Sequence, residues 1–250
     1  MVVYAWQWGW PARVLASAAC VLALAACVWA PSAQARPEPP DPSRAGLGWT
    51  PFFRDGPLKD SGWAACDDPI GVSIDDTSKF TPKVASKIAQ ALTTAARLWS
   101  SDSPLTFAFT GLVPMEHDSK SGVTSPVDGV ERKRHLYLAF VTDKESEALT
   151  DRIVGLGLPT SVDPTNKAIL LGEVTFERDY VEESTLNEVT ALLAHEMGHA
   201  LGLGHSTDKG DVMYPIVRAA TKLGPGDIAG LQSLLRPCVD TNASRDYPLP

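Results

Sequence analysis

Residues 195–205 read His-Glu-Met-Gly-His-Ala-Leu-Gly-Leu-Gly-His, a spacing that fixes both a local fold and a chemistry. His195 and His199 lie four apart, so on a helix their imidazoles leave one face about a turn apart and can grip a single metal ion. Glu196 points to the neighbouring side, close enough to hold a water at that metal. Gly202 can take the positive φ that ends a helix without steric penalty, and the chain then turns so that His205 supplies a third nitrogen. Three protein ligands leave one position of a tetrahedral zinc ion open, which separates a catalytic site from a closed structural one. Isolated histidines are usually ordinary core or surface residues, and the short form HExxH arises by accident. Three histidines, a glutamate and a glycine at fixed spacing arise from composition alone only about once in a hundred thousand chains of this length.

The flanking sequence supplies elements to carry this motif. Thr185 and Glu188 form a capping box, and Val189, Leu192 and Leu193 continue the helix into the motif. Upstream, Ile70, Val72 and Ile74 alternate as a half-buried strand does. Thr81 caps a helix opening at Pro82, with Val84, Ile88, Leu92, Ala95 and Leu98 at helical spacing up to Trp99. Leu105–Thr110 is a second strand and His135–Val141 a third. Between them, residues 111–134 lack apolar periodicity and are expected to form a long surface loop. Thr142–Arg152 is acidic, and Ile153–Leu158 pairs with Ala168–Phe176 around the turn Asp163-Pro164-Thr165-Asn166. A last helix is predicted over Asp227–Leu235, and no internal repeat is present.

Downstream of the motif, Ser206–Pro215 read Ser-Thr-Asp-Lys-Gly-Asp-Val-Met-Tyr-Pro. An extended zinc motif followed by a methionine turn resembles the metzincin clan of metalloproteases, and Ser206 with Met213-Tyr214-Pro215 resembles its matrixin branch. In element order the resemblance spans roughly residues 65–237, with its specific motifs in 195–230. It implies an α+β fold: a twisted mixed sheet of about five strands, three helices and a zinc cleft between two subdomains. It further implies that Met213 floors the three imidazoles without touching the metal, a role that, like an ordinary core position, requires burial. Gly202, Tyr214 and Pro215 support the site, and Asp227 backs it from the closing helix. The strand Ile153–Leu158 becomes the edge to which a peptide adds as a further strand. Residues 215–222 wall the pocket for the side chain after the cut. Matrixins typically hold a second, structural zinc through His-x-Asp and a later His, but here those stretches read Thr142-Asp143-Lys144-Glu145 and Gly172–Glu177, so one zinc is expected. His117 and His135 are then surface residues. Asp143, Glu145, Glu173 and Glu177 form a solvated acidic surface, because no run has the spacing of a calcium loop and calcium is therefore unsupported.

The chain has 250 residues, a net charge of -8 and 44% hydrophobic content, enough for one full core once an N-terminal leader is removed. The acidic balance argues against nucleic acid and against an anionic membrane as partner. A monomer acting on a peptide or protein substrate is expected. Residues 1–35 have the pattern of an export signal: Arg13, an apolar run from Val14 to Ala30, Pro31 as breaker and Ala33-Gln34-Ala35 for the peptidase. Leu24-Ala25-Ala26-Cys27 also has the form of a lipobox, which would leave a lipidated Cys27 as anchor to the cell surface. Residues 36–62 are Pro-rich and expected to be a linker, 63–238 the catalytic domain and 239–250 a C-terminal tail. With Cys20 and Cys27 in the leader, Cys66 and Cys238 remain, and an exported pair is expected to form a disulfide. The competing role for Cys66 is the latency thiolate of many matrixins, although their Pro-Arg-Cys-Gly switch is missing here. The expected activity is that of a secreted or cell-surface zinc endopeptidase, with Glu196 taking a proton from water and passing it to the leaving amine. A non-proteolytic zinc-binding module of the same fold is the alternative, disfavoured because a pure binding site has no need of Glu196.

Overall fold

The computed structural model describes residues 48–75, 80–127, 130, 132–150, 153–220 and 222–238. The leader with Cys20 and Cys27, residues 36–47 and the tail 239–250 lie outside the described residues. In chain order the elements are β1 (Ala64–Ala65), β2 (Ile70–Asp75), α1 (Pro82–Ser100), β3 (Phe107–Val113), β4 (Met115–His117), β5 (Thr124–Pro126) and β6 (His135–Val141). They continue with β7 (Gly155–Val162), β8 (Ile169–Glu177), α2 (Arg178–Glu183), α3 (Leu186–Ala200), α4 (Pro225–Leu234) and β9 (Arg236–Pro237).

Five strands form one mixed sheet in the order β3-β2-β6-β8-β7. β2, β3, β6 and β8 run parallel, and β7 joins the edge antiparallel to β8. Every residue of β2 and β6 is buried, as expected of parallel strands covered on both faces. α1 and α3 pack on each other and α3 on β7 and β8, enclosing a core that includes Ile70, Leu136, Phe140, Val174, Leu192 and Met197. Two indoles lock α3 from either side: Trp99 Nε1 donates to the Ala194 carbonyl at 2.8 Å, and Trp63 Nε1 to the Ala200 carbonyl at 3.0 Å. The Thr81 cap, the proline-initiated first helix and the five-stranded mixed sheet agree with expectation.

Four expectations give way to tertiary packing. Residues 111–134 are not all loop: β3 runs on to Val113, and β4 and β5 form an antiparallel hairpin. Val113 and Met115 of this stretch pack on Tyr137 and Leu171, on the sheet face away from the helices. So short a hairpin carries too few apolar residues to show a period, and it is held by that second cluster. His135 is 5% exposed, not a surface residue, with Nε2 2.9 Å from the Ser73 hydroxyl. Glu173 is likewise buried, accepting the Thr124 N–H at 2.7 Å, so β8 ties down the hairpin through its carboxyl. Of the other acidic residues, Glu145 accepts the Thr142 N–H and Glu177 caps α2. Finally, residues 48–62 are no free linker. Trp49 and Trp63 are buried at its ends, Phe52 N–H donates to the Gly202 carbonyl at 2.7 Å, and Gly62 N–H to the Lys167 carbonyl at 3.2 Å. Proline-rich sequence predicts irregular backbone, which this segment has, with a turn over 57–60 and positive φ at Gly48, Gly56 and Asp60, but says nothing about what it lies against.

At the far end β1 and β9 pair in parallel, Ala64 with Arg236 and Ala65 with Pro237. The next residues on each side, Cys66 and Cys238, are disulfide-bonded. The Arg134 guanidinium donates to the carbonyls of Ala64 and Asp68, at 2.6 and 2.7 Å, and closes the same corner.

Candidate metal centre

α3 begins where Thr185 accepts the Glu188 N–H and the Glu188 carboxylate accepts the Thr185 N–H, the reciprocal cap that fixes the helix register. That register places His195 and His199 on one face. The helix ends at Leu201, and Gly202 follows at φ 102°, a conformation that glycine adopts without a Cβ clash. The chain reverses there and delivers His205. One ligand nitrogen from each of His195, His199 and His205 lies within 4.8 Å of the others. Among the described residues this is the group of histidine, cysteine and carboxylate side chains able to surround one ion.

The imidazoles are oriented from behind. His195 Nδ1–H donates to the Val212 carbonyl at 2.8 Å and His199 Nδ1–H to the Leu203 carbonyl at 2.7 Å. Each ring is therefore held in the tautomer that leaves Nε2 with a bare lone pair. The Nε2 atoms of all three histidines are buried and have no hydrogen-bond partner. Burial pushes the His195 imidazole down to about 4 against the opposing Val212 bond, and holds His199 well below its usual value. His205 is pushed down to about 3 by burial, by His195 and by the Arg54 charge. Three neutral, converging, unsatisfied nitrogens are a costly arrangement by themselves and a fitting donor set for Zn²⁺.

Glu196 is fully buried beside them, and neither carboxylate oxygen has a hydrogen-bond partner. Burial raises its carboxyl to about 8, and the nearby Gly157 N–H opposes the rise without reaching hydrogen-bond geometry. What covers Glu196 is β7. A Cβ on Gly155 would come 2.8 Å from the Glu196 Cγ and Oε1, and one on Gly157 would come 2.0 Å from the Glu196 carbonyl oxygen. The Gly-x-Gly pattern on one face of a strand is a legible signal of close backbone approach, and its function in this site is apparent only with α3 beneath it.

Met213 is buried, and a Cβ on Gly198 would meet its Sδ at 2.2 Å. Glycine between His195 and His199 thus lets the methionine approach the helix closely. The turn carrying Met213 is held by Asp227, whose carboxylate accepts the N–H groups of Val212, Met213 and Gly224 at 2.7, 3.0 and 2.9 Å. Burial raises Asp227 to about 6 in spite of these bonds. Since Val212 in turn accepts from His195, a continuous path leads from α4 to the first ligand. Asp211, to which the sequence assigned no role, accepts the Ser206 hydroxyl and the Gly226 N–H and knits the third-histidine loop to α4. Tyr214 and Pro215 are half-buried just beyond, with the Arg218 guanidinium 5.6 Å above the Tyr214 ring. Phe52 was not expected here: its ring stands edge-on to His199, 6.0 Å between centroids.

The matrixin family profile matches residues 135–236, the stretch that runs from β6 through the histidines to α4 and β9. Interstitial collagenase of Oryctolagus cuniculus is 29% identical over 172 residues, covering 63% of this chain and 30% of the collagenase. Matrix metalloproteinase-19 of Mus musculus is 30% identical over 154 residues, covering 59% of this chain and 25% of that protein. Metalloendoproteinase 4-MMP of Arabidopsis thaliana is 36% identical over 90 residues, covering 34% and 26%. The chain thus spans about 30% of the length of the curated relatives it matches.

Proposed function

We propose that this chain, which matches the matrixin profile over residues 135–236 and is similar to matrix metalloproteinases, is a secreted or cell-surface zinc endopeptidase using Glu196 as general base. The observation that carries this reading is the set of three buried, partnerless Nε2 atoms beside a buried, partnerless carboxylate. His195, His199 and His205 would hold the ion. Zinc bound there would supply Lewis-acid chemistry, acidifying a water from about 15.7 toward 7 and polarising a carbonyl oxygen. Glu196 would take a proton from the attacking water and return it to the leaving amine, a role suited to a carboxyl that burial lifts toward neutrality and a neighbouring cation would lower again. β7 lies at the edge of the sheet, where an extended peptide can add as a further strand and be aligned across Glu196. Met213, Gly202, Tyr214 and Pro215 support the ligands. The catalytic unit includes residues 48–62 as well as 63–238. Export through residues 1–35, or anchoring at Cys27, and an oxidised Cys66–Cys238 pair belong to the same proposal. No helix among the described residues is long and apolar enough to cross a membrane.

Residues 36–250 should bind about one zinc per chain and cleave a mixed peptide library, with cleavage lost to chelator. Glu196→Ala should retain the zinc and lose on the order of a hundredfold or more of the rate. His199→Ala should lose metal and activity together. Full activity in zinc-loaded Glu196→Ala would overturn the mechanism, and a zinc-loaded parent that cleaves nothing would leave a binding module.

A further inference from the structure

Residues 48–62 run from the loop of the third histidine to the turn between β7 and β8, and we infer that they border the substrate's path. At one end Gly204 N–H donates to the Thr50 carbonyl at 2.7 Å, Phe52 N–H to the Gly202 carbonyl at 2.7 Å, and the Thr50 hydroxyl to the His205 carbonyl at 2.8 Å. This is a short ladder laid directly on the loop that carries the third histidine. At the other end Ile169 N–H donates to the Gly62 carbonyl at 2.9 Å and Lys167 Nζ to the Lys59 carbonyl at 3.2 Å, at the base of the β7–β8 hairpin. The residues between these anchors span from the histidine loop to the C-terminal end of β7.

The direction of β7 gives that border a polarity. Gly155 and Gly157, at the N-terminal half of the strand, are the residues in contact with Glu196. A peptide pairing antiparallel to β7 therefore enters with its N-terminus over Val162 and reaches the reacting groups further along. Its residues before the scissile bond pass the border, and those after it leave on the far side.

The border carries a distinctive chemistry. Phe52 and Phe53 are edge-to-face at 5.2 Å, with Phe52 also edge-on to His199. Arg54 follows them, half-exposed, two residues beyond the ring that meets His199. Among the described residues no carboxylate lies in ion-pair contact with Arg54. A guanidinium there, on a chain of net charge -8, presents planar donors suited to a carboxylate.

We propose that Phe52, Phe53 and Arg54 form the cleft wall on the N-terminal side of the scissile bond, and that Arg54 selects substrates bearing an acidic side chain there. The inference rests on the endopeptidase reading of the same site. The two rings offer an apolar face to the substrate's stem, and the guanidinium meets its carboxylate at the rim.

The test uses zinc-loaded residues 36–250 and blocked peptides differing only by Glu or Gln at each of the three positions before and after the cut. Glu before the cut should raise kcat/KM about two- to fivefold over Gln at low salt, the range of a solvent-screened ion pair, and Glu after the cut should give no such gain. Arg54→Gln should bring that ratio to one and Arg54→Glu should invert it, with zinc content and Tm confirming the fold. Comparing ratios cancels the effect of overall charge, and the ratio in the parent should shrink at high salt. The same peptides are then titrated into zinc-loaded Glu196→Ala by tryptophan fluorescence, where the Glu preference should persist in Kd and vanish with Arg54→Gln. An unchanged Glu/Gln ratio in Arg54→Gln, or a preference confined to positions after the cut, overturns the proposal. A parent that cleaves nothing while the binding arm still discriminates would sink the endopeptidase reading alone. Chelator-sensitive cleavage with no discrimination in either arm would sink this inference alone.

Discussion

Gly157→Ala tests how closely catalysis depends on the contact between β7 and α3. The added methyl would sit 2.0 Å from the Glu196 carbonyl oxygen and 2.7 Å from its carbonyl carbon, whereas ordinary contact begins near 3.4 Å. Both of these atoms are backbone in the middle of a helix, so no rotamer change relieves them. Strand and helix must part by about 1.4 Å. Overpacking of this kind costs about 1–3 kcal/mol of stability. Because the displaced strand is the one that aligns the substrate over Glu196, a misplacement of about an ångström should lower kcat/KM on the order of a hundredfold. Zinc content should not change, since His195, His199 and His205 lie on α3 and its following loop. Gly155→Ala is the internal comparison: its methyl meets only the Glu196 side chain, at 2.8 Å, which can turn aside, so its loss of stability should be smaller. The assay is hydrolysis of a quenched fluorescent peptide, with Tm and metal analysis on the same preparations. Gly157→Ala with the parent's kcat/KM and Tm would refute the reasoning, because the edge strand would then not be seated on the helix as described.

Three further outcomes are expected. Asp227→Asn replaces a two-oxygen acceptor of three N–H groups by one with a single oxygen, so the Val212 turn behind His195 should loosen and zinc affinity fall about 10- to 100-fold in competition with a chelator; parent-like affinity would deny the relay. The Cys66–Cys238 bridge closes a separation of 172 residues, so its reduction should lower stability by up to about 5 kcal/mol in denaturant titrations. Free thiols at both positions in the purified protein, with activity rising on alkylation of Cys66, would favour a latency role instead. Burial raises Glu173 to about 7, so its contribution is fully present below the usual carboxyl range and is lost as pH rises through about 7. Glu173→Gln, which keeps an acceptor for Thr124, should therefore gain on the parent by about 1–3 kcal/mol between pH 5 and pH 8, and a pH-independent difference in Tm would contradict this.

The sequence alone determined whatever rests on local spacing. The i, i+4 histidines, the Gly202 turn, the Thr185–Glu188 box and the Thr81–Pro82 helix start are set within a few residues of chain, because helix periodicity and cap geometry are local. His135–Val141 was legible as a strand for a similar reason, since a run of apolar residues between polar boundaries can only be buried. Tertiary structure decided what needs a distant partner. Trp99 and Trp63 reach α3 from 95 and 137 residues away, and their indole donors carry no sequence mark of which carbonyl they will find. The burial of His135 and Glu173 depends on Ser73 and on a hairpin whose own apolar residues are too few to show a period. Residues 48–62 share the composition of a linker, yet their backbone groups pair with the loop of the third histidine and with the β7–β8 hairpin. Backbone pairing is blind to side-chain identity, so only the folded chain shows which loop this segment lies against.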